Sequence, residues 1–508
     1  MGLTEFDVSV LFDPLNIVAI LVGSLAGMFF GAIPGVGAMV VLVLFLPISF
    51  LLPPLPAVLL LLAVYQSSEY GGSISSIILG IPGSPSNVAT ILDGHPMAQS
   101  GMPGKALGYS LWASTIGGLV GGLALLFLAV PIAAFAMTLS YPEYFLLGML
   151  GILAVAVISS HDLIRSIISA ILGLMVGTVG MDLITGDPRF TGGQMELYSG
   201  FTLVAIILGM FAFSEVITMI RDKGSQPAPD TLTVKTKVPF AELRTTAKAT
   251  TGGSVIGSLI GIFPGTGSGT ASWFGYSLAK KLSRNPDRFG KGSPEGIAGA
   301  ESANNSSVGG SLLPLLTLGV PGSPAIAIVM GAFLMHGIVP GPNIFAEEPT
   351  LTYGILFGFL LTSVAMFFSG KLVTPIFSRV LKFPSEMLIP AVLLISIVGV
   401  YAANTSSFEL WVALTVGVIA YFMRNLGFSL PAFVLAFVLS GIIEENFRRA
   451  LLVSGGDLTI FVTRPFSLVL VLIIVGLVSL GIWGKARGTR REKILAEVQG
   501  TDEQKSKA

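Results

Sequence analysis

Gly80-Ile-Pro-Gly-Ser-Pro85 returns later in the chain as Gly319-Val-Pro-Gly-Ser-Pro324, and two further glycine-rich motifs are repeated in the same order. The copies lie 230, 238 and 239 residues apart, so the spacing slips only a little along the chain. Three ordered matches indicate an internal repeat. The other two pairs are Gly31-Ala-Ile-Pro-Gly-Val-Gly37 with Gly261-Ile-Phe-Pro-Gly-Thr-Gly267, and Gly71-Gly-Ser73 with Gly309-Gly-Ser311.

The composition around these motifs is that of a membrane protein. Charged residues make up 11% of the 508 residues and hydrophobic residues 53%, whereas soluble proteins carry roughly 25% charged residues. Mean hydropathy is +0.85. The apolar runs are long, unlike the short alternating segments of an outer-membrane barrel. The sequence therefore predicts an all-α polytopic membrane protein with roughly ten to twelve transmembrane helices and additional broken or re-entrant hairpins.

The same totals exclude several classes of function. The formal net charge is zero, so there is no basic footprint for nucleic acid. The chain has no cysteine and only three histidines, His95, His161 and His336, which argues against a metal centre. No phosphate-binding loop occurs, so we expect neither ATP hydrolysis nor an ATPase partner. Acidic residues and histidines are scarce within the apolar runs, which argues against an enzyme, and we expect no organic cofactor.

Basic residues are concentrated in three hydrophilic segments, 221–248, 280–300 and the tail 485–508. The positive-inside rule predicts that all three are cytoplasmic. The seven bases of the tail could attract membrane lipid, although its four acidic residues favour a plain solvated tail. The predicted boundaries are a first repeat at 1–221 with a hairpin at 71–95, a linker at 222–248, a second repeat at 249–484 with a hairpin at 309–337, and the tail.

Charge also predicts that the two repeats are inverted relative to each other. The flank before the first Pro-Gly motif, 1–14, has no Lys or Arg, whereas the flank before the second, 221–248, has six. The first repeat therefore starts outside and the second starts inside. Inverted-topology repeats are typical of secondary transporters.

The Gly-x-Pro-Gly-Ser-Pro elements interrupt apolar segments. The pieces on either side of the first break, 72–80 and 86–92, are too short to span the membrane as helices, so we expect half-helices that meet inside it. Half-helix N-termini offer free N–H groups and a partial positive charge, which suits an anion. The alternative is that Gly and Pro only permit close packing and kinks. The candidate substrate-binding residues are Pro82, Gly83, Ser84, Asn87, Pro321, Gly322, Ser323, Ser73, Ser311, Asn304 and Asn305.

A second group of residues is predicted to hold the coupling cation, sodium or a proton. The glycines of the Pro-Gly-x-Gly turns leave backbone carbonyl groups free, and Glu69 could carry a proton. Glu301 follows a charged loop, which predicts a position near the surface. Asp93 and His95 are interpreted as a loop cap. The candidate ion-coupling residues are Gly35, Gly37, Gly265, Gly267 and Glu69.

Longer motifs give the chain a family resemblance. The first half carries Leu92-Asp-Gly-His-Pro-Met-Ala98 as well as the motifs above, and the second half carries Glu301-Ser-Ala-Asn-Asn305 and Gly337-Ile-Val-Pro-Gly-Pro342. With Pro294-Glu-Gly296 and Leu315-Leu-Thr-Leu-Gly-Val-Pro-Gly-Ser323, the chain resembles the large membrane subunit of the tripartite tricarboxylate transporters over nearly its whole length.

The resemblance implies a bacterial inner-membrane importer of carboxylates such as citrate, driven by an ion gradient. It also implies two partners, a periplasmic solute-binding protein and a small membrane subunit of about four spans. The paired sites of the family would fall at Pro82-Gly-Ser84 and Pro321-Gly-Ser323. Relatives often carry hydroxyl residues after the second of these, where this chain has Pro324-Ala-Ile-Ala327, so the identity of the carboxylate is open.

Two alternatives stay open at the level of sequence. One is a stand-alone ion-coupled carrier that needs no binding protein. The other is an intramembrane enzyme or a channel, which the scarcity of acidic residues and the inverted repeat disfavour. If the chain is a carrier, analogy with other hairpin-bearing carriers predicts an elevator or rocking motion against a scaffold formed by 106–220 and 350–484.

Overall fold

The computed structural model describes residues 6–158, 162–182, 184–221, 238–376, 385–479 and 481. His161, the tail from 485 and residues 222–237 of the predicted linker lie outside this part of the chain. Almost every described segment is helical, and the strands Gly180–Met181 and Pro188–Arg189 form one small antiparallel pair. The chain is an all-α polytopic membrane protein, as the composition predicts.

The first half contains eight helices in the described residues. They are α1 Pro14–Gly31, α2 Ala38–Ser49, α3 Pro54–Leu79, α4 Val88–Gln99, α5 Pro103–Ala136, α6 Tyr141–Ile158, α7 Leu163–Gly177 and α8 Leu203–Arg221, the last with a π turn at Leu208–Phe213.

The second half begins with short α9 and continues to α20 within the described residues. These helices are α9 Phe240–Thr245, α10 Ala247–Ile262, α11 Gly267–Leu282, α12 Pro294–Leu318, α13 Pro324–Met335, α14 Ile344–Glu347, α15 Pro349–Val373, α16 Ser385–Asn404, α17 Ser407–Asn425, α18 Leu430–Val453, α19 Ile460–Thr463 and α20 Pro465–Ser479.

Six of these helices are long and apolar enough to cross a membrane: α1, α5, α8, α15, α17 and α18. Further apolar helices of 10–17 residues, among them α2, α7 and α13, are too short to cross alone. The predicted total of ten to twelve crossings therefore stays a prediction.

The predicted hairpins differ from the observed ones in their first arms. The hairpin predicted at 71–95 begins in the middle of α3, a continuous helix of 26 residues, and the hairpin at 309–337 begins within the 25 residues of α12. The expectation of two short arms was wrong, because the glycines and serines of these helices pack against neighbouring helices without interrupting the backbone. The second arms, α4 and α13, have 12 residues each and are short as expected.

Both long arms end in the same way. Gly80 and Gly319 close α3 and α12 in the left-handed conformation, with φ of 68° and 73°. Glycine adopts this conformation without a steric penalty, which explains why this residue ends each helix. The chain then turns back through Pro-Gly-Ser before the short arm begins.

Equivalent contacts in the two halves correct the spacing of the repeat. A Cβ added at Gly83 would lie 2.4 Å from the Cα atom of Gly72, and one added at Gly322 would lie 2.6 Å from the Cα atom of Ser311. Gly72 therefore corresponds to Ser311, a spacing of 239 residues that also relates Gly83 to Gly322. The match of Gly71-Gly-Ser73 to Gly309-Gly-Ser311 was displaced by one residue, because sequence identity favours that alignment whereas the contacts of the two breaks pair Gly72 with Ser311.

The two halves interlock around the long arms. α1 packs along α3, and α10 packs along α12, with small residues in between. Elements are also exchanged between halves, since α2 packs on α13 and α11 packs on α4. α5 lies along α12, so the start of the predicted scaffold 106–220 is joined closely to a long arm. The element order is the same in both halves, while the inverted orientation and the domain boundaries stay predictions.

The described parts of two basic segments, 238–248 and 280–300, meet on one side of the molecule. Lys105 at the start of α5 donates to the Glu242 carboxylate of α9 at 3.0 and 2.9 Å. The Lys105 ammonium, with the Tyr109 hydroxyl, lowers the pKa of the Glu242 carboxyl. Residues of 244–248 and 284–295 line a groove on this side. Its lining includes Arg244, Lys248, Arg284 and Arg288. This clustering agrees with a single cytoplasmic side for 238–248 and 280–300.

Asp93 ties the two halves together on the same side. Its Oδ1 atom accepts four backbone N–H groups, from Gly290, Lys291, Gly292 and Ser293, at 2.7–3.1 Å. The interpretation of Asp93 as a loop cap is therefore confirmed, and the loop that it caps leads into α12 of the other half. The His95 ring nitrogen Nδ1 lies 3.1 Å from the carbonyl oxygen of Ile77, within the same half.

We expect Asp93→Ala to destabilise the protein by about 1–3 kcal/mol, because it leaves four N–H groups without their acceptor. Asp93→Asn keeps an acceptor oxygen and should cost less. The measurement is thermal unfolding of purified protein in detergent, with the exposed Asp287→Ala as the control. Equal unfolding midpoints for Asp93→Ala and Asp287→Ala would contradict the role of Asp93.

Candidate functional site

A cavity of about 430 Å³ lies where the breaks of the two halves face each other. The starts of four helices reach it: Gly37 and Ala38 at α2, Ser84 to Ser86 before α4, Thr266 to Thr270 at α11, and Ser323 to Ala325 at α13. The remaining lining residues are Met39, Tyr65, Glu69, Trp273 and Pro431.

The backbone gives this cavity a positive potential. The first N–H groups of a helix have no intrahelical acceptor, and the N-terminus carries roughly half a positive charge. Each of the four helices has at least 12 residues, so its dipole is developed. No Lys or Arg lines the cavity. The arrangement therefore suits an anion held by N–H and hydroxyl groups.

The two Pro-Gly-Ser serines line the cavity in different ways. The Ser323 hydroxyl oxygen accepts the N–H of Ile326 at 3.2 Å and so caps α13. Ser84 makes no such cap; its hydroxyl donates to Asn87 Oδ1 at 2.7 Å and lies 2.5 Å from the Ser86 hydroxyl. Ser84 thus retains a hydroxyl that can exchange its partners when a ligand enters.

Glu69 brings a carboxyl group to the same cavity. Two serine hydroxyls donate to it, Ser268 at 2.9 Å to Oε1 and Ser86 to Oε2, and the Ser84 hydroxyl lies 3.5 Å from Oε2. The side chain is 3% exposed, and among the described residues no ion pair joins it. A buried carboxylate without a basic partner is costly unless it binds a proton or a cation.

The structure brings together only part of the predicted set. Ser84, Ser323, Gly37, Gly267 and Glu69 line the cavity. The other predicted residues are not among those that line it: Pro82, Gly83, Asn87, Pro321, Gly322, Ser73, Ser311, Asn304, Asn305, Gly35 and Gly265.

Several of the predicted residues that do not line the cavity make hydrogen bonds that stabilise the fold. Asn87 donates from Nδ2 to the backbone oxygen of Glu69 at 2.9 Å, which joins the short arm to the long one. The Ser73 hydroxyl lies 2.7 Å from the Ser110 hydroxyl of α5. Ser311 donates to the carbonyl oxygen of Ser307 within its own helix. Each of these side chains has a role in the fold that requires no ligand.

Gly83 and Gly322 are placed by close packing. A Cβ at Gly83 would lie 3.0 Å from the Gly31 carbonyl oxygen as well as against Gly72, and one at Gly322 would lie 2.8 Å from the Gly261 carbonyl oxygen. Gly83 and Gly322 therefore have the close-packing role that was the alternative to substrate binding in the sequence analysis. The Pro-Gly turns support it, since the Gly265 N–H donates to the Gly322 carbonyl oxygen at 2.9 Å.

Three polar residues of α12 are fully buried. Glu301 is 0% exposed, so the expectation of a surface position was wrong: α12 continues inward from the charged loop, and Glu301 lies two turns along it. Asn304 has no hydrogen-bond partner for either side-chain polar atom, and Asn305 has none for Oδ1.

Ser86 and Ser268 were not identified as site residues from the sequence. Ser86 lies two positions after Ser84, and Ser268 lies one position after Gly267.

The chain is similar to known proteins over most of its length. The pattern of the tripartite tricarboxylate transporter TctA family matches residues 17–435. An uncharacterized 52.8 kDa protein in the TAR-I ttuC' 3' region of Agrobacterium vitis is 33% identical over 95% of this chain and 96% of its own length. An uncharacterized protein in the TAR-II ttuC' 3' region of the same organism is 38% identical over 42% of this chain and 87% of its own length. No solved structure matches.

Two glycine substitutions distinguish a closely packed glycine, Gly83, from a glycine that lines the cavity without close contacts, Gly37. Gly83→Ala should lower the stability by about 1–3 kcal/mol, because its Cβ would overlap backbone atoms that cannot move freely. Gly37→Ala is the matched control, since its Cβ would meet no atom closer than 3.7 Å and its φ of −64° suits alanine. Thermal unfolding in detergent measures both. A stable Gly83→Ala protein would contradict the close packing of the break.

Proposed function

The chain belongs to the tripartite tricarboxylate transporter TctA family, and from this membership and the cavity we propose that it imports an organic carboxylate by cation-coupled secondary transport. The observation that carries the proposal is the meeting of four helix N-termini and a buried carboxyl group around one cavity. The membership supports a carboxylate as the class of substrate, and the helix N-termini support the cavity as its proposed site.

We propose that carboxylate groups of the substrate bind between Ser84 and Ser323. Free N–H groups of α2 and α11 lie on the other walls and can donate to the same oxygens. Backbone donors suit a permease because they bind an anion without the strong attraction of an arginine, so the anion can also leave. A tricarboxylate such as citrate is the probe that the family suggests.

Glu69 is the proposed link between the anion and the cation. Its carboxyl group lines the same cavity, so an ionised Glu69 would repel the carboxylate. A proton or a sodium ion at Glu69 removes this repulsion, and each ligand then strengthens the binding of the other. This mutual stabilisation is how a cation gradient can drive uptake. Gly37 and Gly267 border the cavity beside Glu69.

The tripartite family implies two protein partners, a periplasmic binding protein and a small membrane subunit. We propose that the binding protein delivers the carboxylate and that the small subunit of about four spans completes the membrane unit in a bacterial inner membrane. We also propose that the breaks move against α6, α7, α16, α17 and α18 during transport. Pro431 of α18 at the cavity wall marks where the two parts meet.

Uptake of labelled citrate into vesicles that contain the chain and its small subunit tests the function. We expect accumulation under an imposed proton or sodium gradient only when the purified binding protein is present. Glu69→Gln should abolish accumulation while exchange of bound citrate continues. A side chain that is always neutral cannot bind and release the coupling cation, so the cation gradient no longer drives uptake. Glu347→Gln, at an exposed position, is the control. Accumulation by Glu69→Gln at the wild-type level would refute the coupling role, and uptake without the binding protein would indicate a stand-alone carrier.

The movement of the breaks can be tested by crosslinking, since the chain has no native cysteine. A Cβ at Gly151 of α6 would lie 3.5 Å from Val320 Cγ1 in the second break. Cysteines at both positions, joined by a short reagent, should stop transport and reducing agent should restore it. Cysteines at Phe145 of α6 and Phe447 of α18, whose rings lie 5.0 Å apart within the scaffold, are the control. Normal transport by the crosslinked 151–320 protein would exclude relative motion of these parts.

A further inference from the structure

Glu301 is a second buried carboxyl group, and the binding of substrate and cation at the cavity does not use it. It lies in α12 and is 0% exposed. Two hydroxyls from two other helices donate to it: Thr90 of α4 to Oε1 at 2.5 Å and Ser114 of α5 to Oε2 at 2.9 Å. The carboxyl group therefore connects a short arm, a long arm and α5.

The surroundings of Glu301 contain no charge that would balance an ionised carboxylate. No ion pair to Glu301 occurs within the described ranges. The carboxyl oxygens meet hydroxyl groups, which can either donate to a carboxylate or accept from a protonated carboxyl group. An unpaired carboxylate in an apolar interior is costly. These contacts suit a group that is neutral when enclosed and loses its proton when the protein opens.

The ionisable groups on the packed helices have other partners or lie elsewhere. Tyr70 of α3 interacts electrostatically with Glu301, and its hydroxyl lies 3.1 Å from the Thr374 hydroxyl. Asp93 holds the 290–293 loop, and Lys105 and Tyr109 bind Glu242. The ionisable groups on the helices around Glu301 are Tyr65, Glu69 and Tyr70 in α3, Asp93 and His95 in α4, Lys105 and Tyr109 in α5, Lys248 in α10, Tyr276, Lys280 and Lys281 in α11, and Glu295 in α12 itself.

The position of Glu301 breaks the symmetry of the repeat. At the spacing of 239 residues, Glu301 corresponds to Leu62, and Glu69 corresponds to Val308, both of them 0% exposed. The inner acids therefore have apolar counterparts. Glu301 is seven residues from the start of α12, or about 10 Å along the helix axis, on the side where the basic segments cluster. Thr90 is one helical turn from Asp93 on the same side.

Asn87 and Asn304 are buried amides that interact with the two carboxyl groups. Asn87 donates to the Glu69 backbone oxygen, and its side chain also interacts with Glu301. Asn304 follows Glu301 by three residues in α12, and its amide interacts with Glu69 without making a hydrogen bond of normal geometry. Polar groups thus continue from the cavity past Glu69 towards the basic side of the protein.

We propose that Glu301 is a proton-binding site on the cytoplasmic half of the transporter, from which the proton that accompanies the carboxylate is released. This inference rests on the proposed import function and assigns its coupling ion as a proton. A proton taken up from outside forms the O–H bond of the Glu301 carboxyl group. That bond breaks when the site opens to cytoplasmic water, and the remaining carboxylate is held by Thr90 and Ser114.

The contacts also explain how the proton would influence the conformation. Thr90 lies on the short arm α4, whereas Glu301 lies on α12, so their hydrogen bond joins parts of different halves. An ionised Glu301 accepts both hydroxyls, while a protonated one is a donor as well as an acceptor. The strength of this connection therefore changes with the proton, which couples protonation to movement of the arm.

Proteoliposomes with the chain and its small subunit, supplied with the purified binding protein, test the proposal through two readouts. Citrate exchange at equal concentrations requires binding and movement only, whereas accumulation under a proton gradient, followed with a dye for internal pH, requires coupling. Glu301→Gln should keep exchange and lose both accumulation and citrate-dependent proton entry. Glu295→Gln, in the same helix near its start, is the matched control and should behave as wild type. Glu301→Asp should retain coupling with a shifted pH profile.

The possible failures are distinguishable. Proton-coupled accumulation by Glu301→Gln at the wild-type level, or wild-type accumulation driven by sodium with no proton entry, would overturn the proposal and leave the import function standing. Absence of citrate exchange in wild type would overturn the import function and this proposal with it. If Glu301→Gln does not fold, infrared spectra of wild type and Glu301→Asp decide: a protonated carboxyl band that Glu301→Asp displaces supports the site, and an unchanged spectrum overturns it.

Discussion

The two Pro-Gly-Ser breaks that follow α3 and α12 are the constraint on which the rest of this structure depends. Backbone groups that leave a helix in the interior of a membrane protein must be satisfied by protein, water or ligand. The second break meets the requirement through Gly322, whose N–H donates to Ser311 and whose carbonyl oxygen accepts from Gly265. Such bonds need the backbones to approach closely, which is possible because glycine has no Cβ. The glycine-rich motifs therefore have a steric role first, and the cavity is the space that this packing leaves between the helix starts.

Much of the arrangement follows from the sequence because its signals are local. Low charge predicts the membrane, repeated Pro-Gly-Ser motifs predict the two breaks, and Ser84 and Ser323 lie at the cavity as their position at helix starts predicts. The length of the first arms was not predictable in the same way. Gly71, Gly72 and Ser73 look like a break, yet α3 continues through them because α1 supplies a close partner. Propensity is overridden here by contacts between residues about forty positions apart.

The burial of Glu301 and the roles of Ser86 and Ser268 depend on which helices meet, and one sequence does not contain that information. Glu301 follows a basic loop, and only the depth of α12 in the bundle places it among Thr90 and Ser114. The same contacts show the difference between a symmetric scaffold and an asymmetric function. Packing glycines occur in both halves, whereas Glu69 and Glu301 correspond to the apolar residues Val308 and Leu62 of the other half. A transporter needs such a difference if one direction of movement is to be coupled to a cation.

The most direct test of this account is a structure of the chain with its small subunit and bound citrate, determined by electron microscopy in a lipid nanodisc. The account predicts density for the carboxylate between Ser84 and Ser323, within hydrogen-bonding distance of the starts of α2, α4, α11 or α13. Citrate density elsewhere, with this cavity occupied only by water, would contradict the claim that helix N-termini form the substrate site.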